Sequence, residues 1–194
     1  MIQSMPIRLI AFSLTLISSI ALASTGFADS GTSEYESAQQ INAANELLRN
    51  GEIDKAIEGY DRVTHQSENG DELKYNRAVA QYRKSDIPAA TRLFSDTAGS
   101  SNTSIAGRSR YNLGNCLYAT ALQTAEKDKP AAIEQLRSAI AHYRGSLRSM
   151  PDNQDARANI ELAAELIRKL EEEQQQDQQK QDQQQQDQQQ QDQQ

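Results

Sequence analysis

Along most of the chain, apolar residues recur three and four positions apart, and the stretches between these runs are short and polar. That spacing predicts helices and no sheet. The expected helices run from about Glu36 to Arg49, Ile53 to His65, Glu72 to Lys84, Asp86 to Thr97, Arg108 to Glu126 and Pro130 to Arg148. One further helix follows Pro151, with Ile160, Ala163, Ile167 and Leu170 on its apolar stripe. Local signals mark several ends. Asn50-Gly51 supplies a left-handed stop, and Ser85 is suited to cap the helix carrying Pro88 in its first turn. Pro130 belongs at the start of its own helix.

A period organises these helices. Ala44, Ala56, Tyr60 and Val63 recur 34 positions later as Ala78, Ala90, Phe94 and Thr97, with the linkers "RNGEID" and "RKSDIP" in the same phase. Paired helices with small residues at their crossings and an aromatic filling the groove make a repeated hairpin. A third copy begins after the polar linker "GSSNTSIA" and is too long: Gly114 lies 36 residues after Ala78, but Ala139 lies 49 after Ala90. The added thirteen residues amount to nearly two turns on each of two helices. The third hairpin is therefore expected to be lengthened, zipped by Leu122, Ala125, Ala131, Ala132 and Leu136.

Tyr111-Asn112-Leu113-Gly114-Asn115, Tyr118, Ala139, Tyr143, Ser146 and Pro151 resemble the consensus of the tetratricopeptide (TPR) repeat. The first two units share its small and aromatic positions but lack its terminal proline. The resemblance implies an all-α fold, a TPR α-solenoid of three helical hairpins, the third lengthened, plus a C-terminal capping helix. It also implies a groove lined by the first helix of each pair. Carried over by register, the protein-binding groove comprises Asn45, Leu48, Tyr75, Asn76, Val79, Tyr82, Arg108, Tyr111, Asn112, Asn115 and Tyr118. Some members clamp a terminal carboxylate there; Asn45, Asn76 and Arg108 match that clamp, while Ile41 and Asn112 replace two of its basic residues.

The two ends differ from this body. Residues 1–28 pair one positive charge, Arg8, with a fourteen-residue apolar run from Leu9 to Leu22 and small residues after it. This is the pattern of a Sec-type signal peptide, with an uncleaved N-terminal anchor as the alternative. Residues 29–36 are expected as a flexible linker, 37–173 as the TPR domain with its capping helix, and 174–194 as a disordered tail. The tail holds sixteen Gln, four Asp and one Lys. Without an apolar residue it buries nothing, so it is expected as a flexible or partly helical spacer, with glutamine-mediated self-association as the alternative. Its Asp residues fall every five positions, about 140° apart on a helix, and build no face.

Charge and chemistry narrow the function. The formal charge of -7 sits largely in residues 171–194, which hold seven acids against Lys180. No basic stripe remains for nucleic acid. Cys116 has no disulfide partner and is expected as a buried, inert side chain, since a reactive thiol needs a base or an electropositive pocket. His65 and His142 stand on different hairpins, without ligand spacing for a metal. No phosphate loop or dinucleotide fingerprint is present, so no catalytic residue, cofactor or metal site is assigned. The order of leader, repeats, "MPDNQDARANIELA" and glutamine-rich ending resembles the exported TPR proteins of the Bat aerotolerance operons. That resemblance implies a non-catalytic envelope scaffold, periplasmic and associated with the inner membrane. Its partners would be von Willebrand A-domain membrane proteins and a MoxR-type ATPase. The alternative is a general periplasmic adaptor for cell-wall or division enzymes.

Overall fold

The computed structural model describes residues 30–63 and 70–191; the expected leader, the end of the second helix at His65 and the last three residues lie outside them. Among the described residues the protein is all-helical: α1 (Ser30–Arg49), α2 (Ile53–Asp61), α3 (Gly70–Arg83), α4 (Ile87–Thr97), α5 (Thr103–Thr124), α6 (Lys129–Leu147) and α7 (Gln154–Gln191). The chain divides into two compact units, one through Ser109 and one from Arg110.

In the first unit α1 pairs with α2, and α3 with α4. The α1 end is closed by Gly51, whose N–H donates to Leu48 O at 3.2 Å, and by Glu52, whose N–H donates to Leu47 O at 2.9 Å. Gly51 takes φ 81, which glycine adopts without steric cost. One repeat later the same two bonds run from Ser85 to Tyr82 O (3.0 Å) and from Asp86 to Gln81 O (2.9 Å), and Ser85 is held at φ 66. Ser85 therefore closes α3 and does not cap α4 as the sequence suggests. The cap is Asp86, whose carboxylate accepts from Ala89 N–H at 3.0 Å, with Pro88 in the first turn. The reason is geometric: copying the Asn50-Gly51 turn assigns the left-handed position to Ser85 and moves the cap one residue on.

Small residues let these helices close together. A Cβ built on Gly59 would lie 2.9 Å from the Ala44 Cβ, and Ala56, Tyr60, Ala78, Ala90 and Phe94 are fully buried. Helix α1 begins at Ser30, so the segment expected as a linker joins it; the sequence there has no proline to interrupt a helix already packed from Ser37 onward. Helix α5 likewise starts at Thr103, not near Arg108. The Asn102 side-chain carbonyl accepts from the backbone N–H groups of Ser104 (3.1 Å) and Ile105 (3.2 Å), and Ile105 and Ala106 are buried. A stretch that reads as polar linker is thus a capped first turn.

In the second unit α5 and α6 form the lengthened hairpin. Asp128 caps α6 through Ala131 N–H at 2.9 Å, Pro130 sits in the first turn, and Ala125, Ala132 and Leu136 are buried between the arms, with Leu122 and Ala131 half-buried. Helix α7 runs back along α6, burying Ala156, Asn159, Ala163 and Leu170. Farther along, Arg137 bonds Glu171 (3.1 Å), and Lys129 bonds Asp177 (2.6 Å) with Glu173 at 3.7 Å. From residue 174, where a disordered or partly helical spacer is expected, α7 continues unbroken to Gln191. Glutamine is a good helix former, and elongating a helix nucleated by packing costs far less than starting one.

Of the glycines in this unit, Gly114 is the most closely packed. A Cβ there would meet the Tyr143 ring at 2.6 to 2.9 Å, and that ring is 1% exposed. Replacing Gly114→Ala is expected to destabilise the protein by about 1–2 kcal/mol in chemical denaturation, because overpacking exceeds the gain in helix propensity. Gly99→Ala, where the added methyl meets nothing within 4 Å, is the control and should leave stability unchanged or slightly raised.

Candidate functional site

The residues expected to line a binding groove divide by burial. Asn45, Leu48, Asn76, Val79, Asn112 and Tyr118 are buried, so their side chains belong to the interior and not to the open surface the register implies. Tyr75, Tyr82, Arg108, Tyr111 and Asn115 are half-buried. Part of that set still serves packing. Tyr75 lies against Phe94 with ring centroids 5.8 Å apart and planes at 60°, and Tyr111 lies against Tyr143 at 5.9 Å and 51°. These near-identical tilted pairs occupy equivalent places in the second and third hairpins.

What the structure gathers instead is a polar tie, made once in each unit. In the first, Tyr60 Oη donates to Asn45 Oδ1 at 2.6 Å and Asn76 Nδ2 donates to the same oxygen at 3.1 Å. In the second, Tyr143 Oη donates to Asn115 Oδ1 at 2.9 Å and Asn159 Nδ2 donates to it at 3.1 Å. One amide oxygen thus accepts from the second helix of its own hairpin and from the first helix of the next. Two acceptor lone pairs are filled from two directions, so three helices are fixed by one group.

The spacing repeats once the insertion is allowed for. Tyr60 follows Asn45 by 15 residues and Tyr143 follows Asn115 by 28; Asn76 follows by 31 and Asn159 by 44. Both separations grow by the thirteen residues that lengthen the third hairpin. The insertion is therefore confined to the far ends of α5 and α6 and leaves the tie in register. In the middle hairpin the two partner positions hold Phe94 and Val79, both buried. There the tyrosine hydroxyl and its amide acceptor are both replaced by apolar side chains, a change that strands neither member of that pair.

The asparagines carry the least visible part of this pattern. Asparagine more often caps a helix or faces solvent than sits in a core, and the only trace in the sequence is that each Asn–Tyr pair shifts by the same insertion.

Electrostatics follow burial. The Tyr60 phenol is pushed far above the ordinary tyrosine range by desolvation, with the Arg49 and Arg83 charges pulling slightly the other way. Burial raises the Tyr111 phenol too; bonds to Asn115 and Asn159 ease it down and the Asp155 carboxylate adds to the rise. Glu72, half-buried, is raised by desolvation and partly relieved by Arg108. His142 is lowered by burial and by Arg110. Cys116 is fully buried, and His65 lies outside the described residues. Among the described residues no cluster of three or more His, Cys, Asp and Glu has a metal-binding arrangement, and no helix is long and apolar enough to cross a membrane. No family model matches the chain, and no curated protein matches it.

Two outcomes are expected of the first tie. Tyr60→Phe should cost about 1 kcal/mol, and Asn45→Val about 2–4 kcal/mol because it leaves the Tyr60 hydroxyl and the Asn76 amide buried without their acceptor. Adding Tyr60→Phe to Asn45→Val should cost nothing further or return about 1 kcal/mol, a non-additivity read from a double-mutant cycle in urea. Simple additivity would mean the three groups do not act through one oxygen. The pH dependence has a fixed sign: the folded-state pKa of Tyr60 is raised, so its contribution is complete below the unfolded value of about 10 and is lost as pH rises above it. Denaturation midpoints should fall in alkali, and less steeply in Tyr60→Phe.

Proposed function

We propose that this chain is a non-catalytic protein-interaction scaffold of the tetratricopeptide type. On this reading it is an exported α-solenoid of three hairpins, the third lengthened, ending in a capping helix. The observation that carries the reading is the Tyr–Asn–Asn tie, recurring with one geometry in two places. Modules built alike and joined at equivalent points are what repeat proteins use to make extended binding surfaces. The equivalent ring pairs of Tyr75 with Phe94 and Tyr111 with Tyr143 support the same view.

The narrower assignment rests on sequence order: a signal-like start, repeats, "MPDNQDARANIELA" and a glutamine-rich ending. On that basis the scaffold works in the bacterial envelope, within a Bat-type complex with von Willebrand A-domain membrane proteins and a MoxR-type ATPase. A tagged full-length chain purified from gently solubilised membranes should carry A-domain proteins with it, identified by mass spectrometry. Their consistent absence from intact envelope preparations would overturn the Bat assignment.

A further inference from the structure

Helix α7 is packed along one stripe. Ala156, Ala163 and Leu170 follow one another at seven-residue steps and are all buried, so every second turn returns the same face to the body of the unit. The next place in this series is Asp177. There a carboxylate stands where the apolar side chain would be, and its contact is the 2.6 Å ion pair with Lys129, the first residue of α6. Glu173, one turn earlier, lies 3.7 Å from the same ammonium group, and Arg137 meets Glu171 at 3.1 Å. From Leu170 onward the fastening of α7 is ionic.

Past Asp177 the helix outruns α6. Among the described residues no side chain after Asp177 forms an ion pair, and those from 178 to 185 are exposed. Propensity alone then keeps the segment helical. Glutamine is a fair helix former and aspartate a poor one, and even for good formers an added residue changes the free energy by close to nothing. Such a segment frays from its free end back to the last point at which it is fixed. A contact that shifts an equilibrium about fivefold is minor beside the stability of a whole domain, but it is large beside that margin. Whether the fixed point is Asp177 or Leu170, two turns earlier, therefore decides how much of the extension is helix. Leu170 is buried at any ionic strength, whereas the Lys129 side chain is 25% exposed and that of Asp177 55%, open to ions that screen the pair.

We propose that Lys129, Glu173 and Asp177 form a salt-labile clasp that decides whether residues 178–191 stand as a helical rod or move as a flexible chain. Ionic strength then sets the reach of this segment and leaves the packed body unchanged. The clasp goes beyond the scaffold reading above and does not depend on it.

Hydrogen exchange of the full chain, followed by mass spectrometry from milliseconds upward, tests the clasp. At about 0.1 M sodium chloride, residues 178–191 should exchange more slowly than the same sequence as a free peptide, and raising the salt to about 1 M should remove most of that protection. Lys129→Gln and, separately, Asp177→Asn should each speed exchange in 178–191 about fivefold at low salt and abolish the salt effect, with α5, α6 and α7 up to Leu170 unchanged. Reversing the pair, Lys129→Glu with Asp177→Lys, should restore protection to within about twofold of the original. Lys55→Gln, which breaks an equally short exposed pair in the first unit, should change nothing in the extension. Protection that survives both single substitutions and high salt would mean that the extension sustains its own helix, and would overturn the proposal. So would exchange as fast as the free peptide's at low salt, or losses spread evenly through α6 and the buried part of α7, which would make the pair an ordinary structural contact.

Discussion

Each half of this protein is organised around a single amide oxygen that accepts two hydrogen bonds, fully buried at Asn45 and half-buried at Asn115. A buried carbonyl left with no partner would cost more than most single contacts contribute, so the helices that supply its donors cannot drift apart independently. Asn45 and Asn115 thereby convert three separate packing problems into one. Apolar contacts around them, such as Ala44 against Gly59 and Gly114 against the Tyr143 ring, give attraction without direction. The asparagine gives the direction, and the close contacts depend on it to be in register.

The middle hairpin shows that the fold has two solutions at this point. With Phe94 and Val79 it meets the same steric requirement through apolar packing alone. Its second helix is in turn fastened to α5 by the hydrogen bond between the Thr97 and Ser109 hydroxyls at 2.7 Å. Phe94 and Val79 together replace the Tyr–Asn pair, as expected if the hydroxyl and its acceptor change together.

Much of the architecture was legible because helical hairpins advertise themselves locally. Period, Asn50-Gly51, Pro88 and Pro130 each act over a few residues, and the helices they delimit fall within a few residues of expectation, apart from the earlier starts of α1 and α5. The candidate surface was less legible. Register places Asn45 and Asn76 on a groove, but register says nothing of depth, and a neighbouring helix covers what an isolated hairpin would expose. Ser85 was misread because a serine before a helix is ordinarily a cap; only the equivalence with Gly51 reveals that the preceding helix claims it. The helical form of the ending was hard to read for a different reason. Composition asks whether a segment buries enough to fold by itself, whereas residues 174–191 extend a helix already nucleated and fastened at Lys129.

That extension has a consequence for how the chain can vary. Beyond Asp177 the described side chains are exposed, and the five-residue Gln/Asp rhythm rotates its charges around the axis. Gaining or losing one such block would change the reach of the helix by about 7.5 Å without removing a core contact or creating a sticky stripe. Repetitive sequence of this kind changes length easily, and here length is the one dimension left free. The length of the segment is thus decoupled from the packing of the body that carries it.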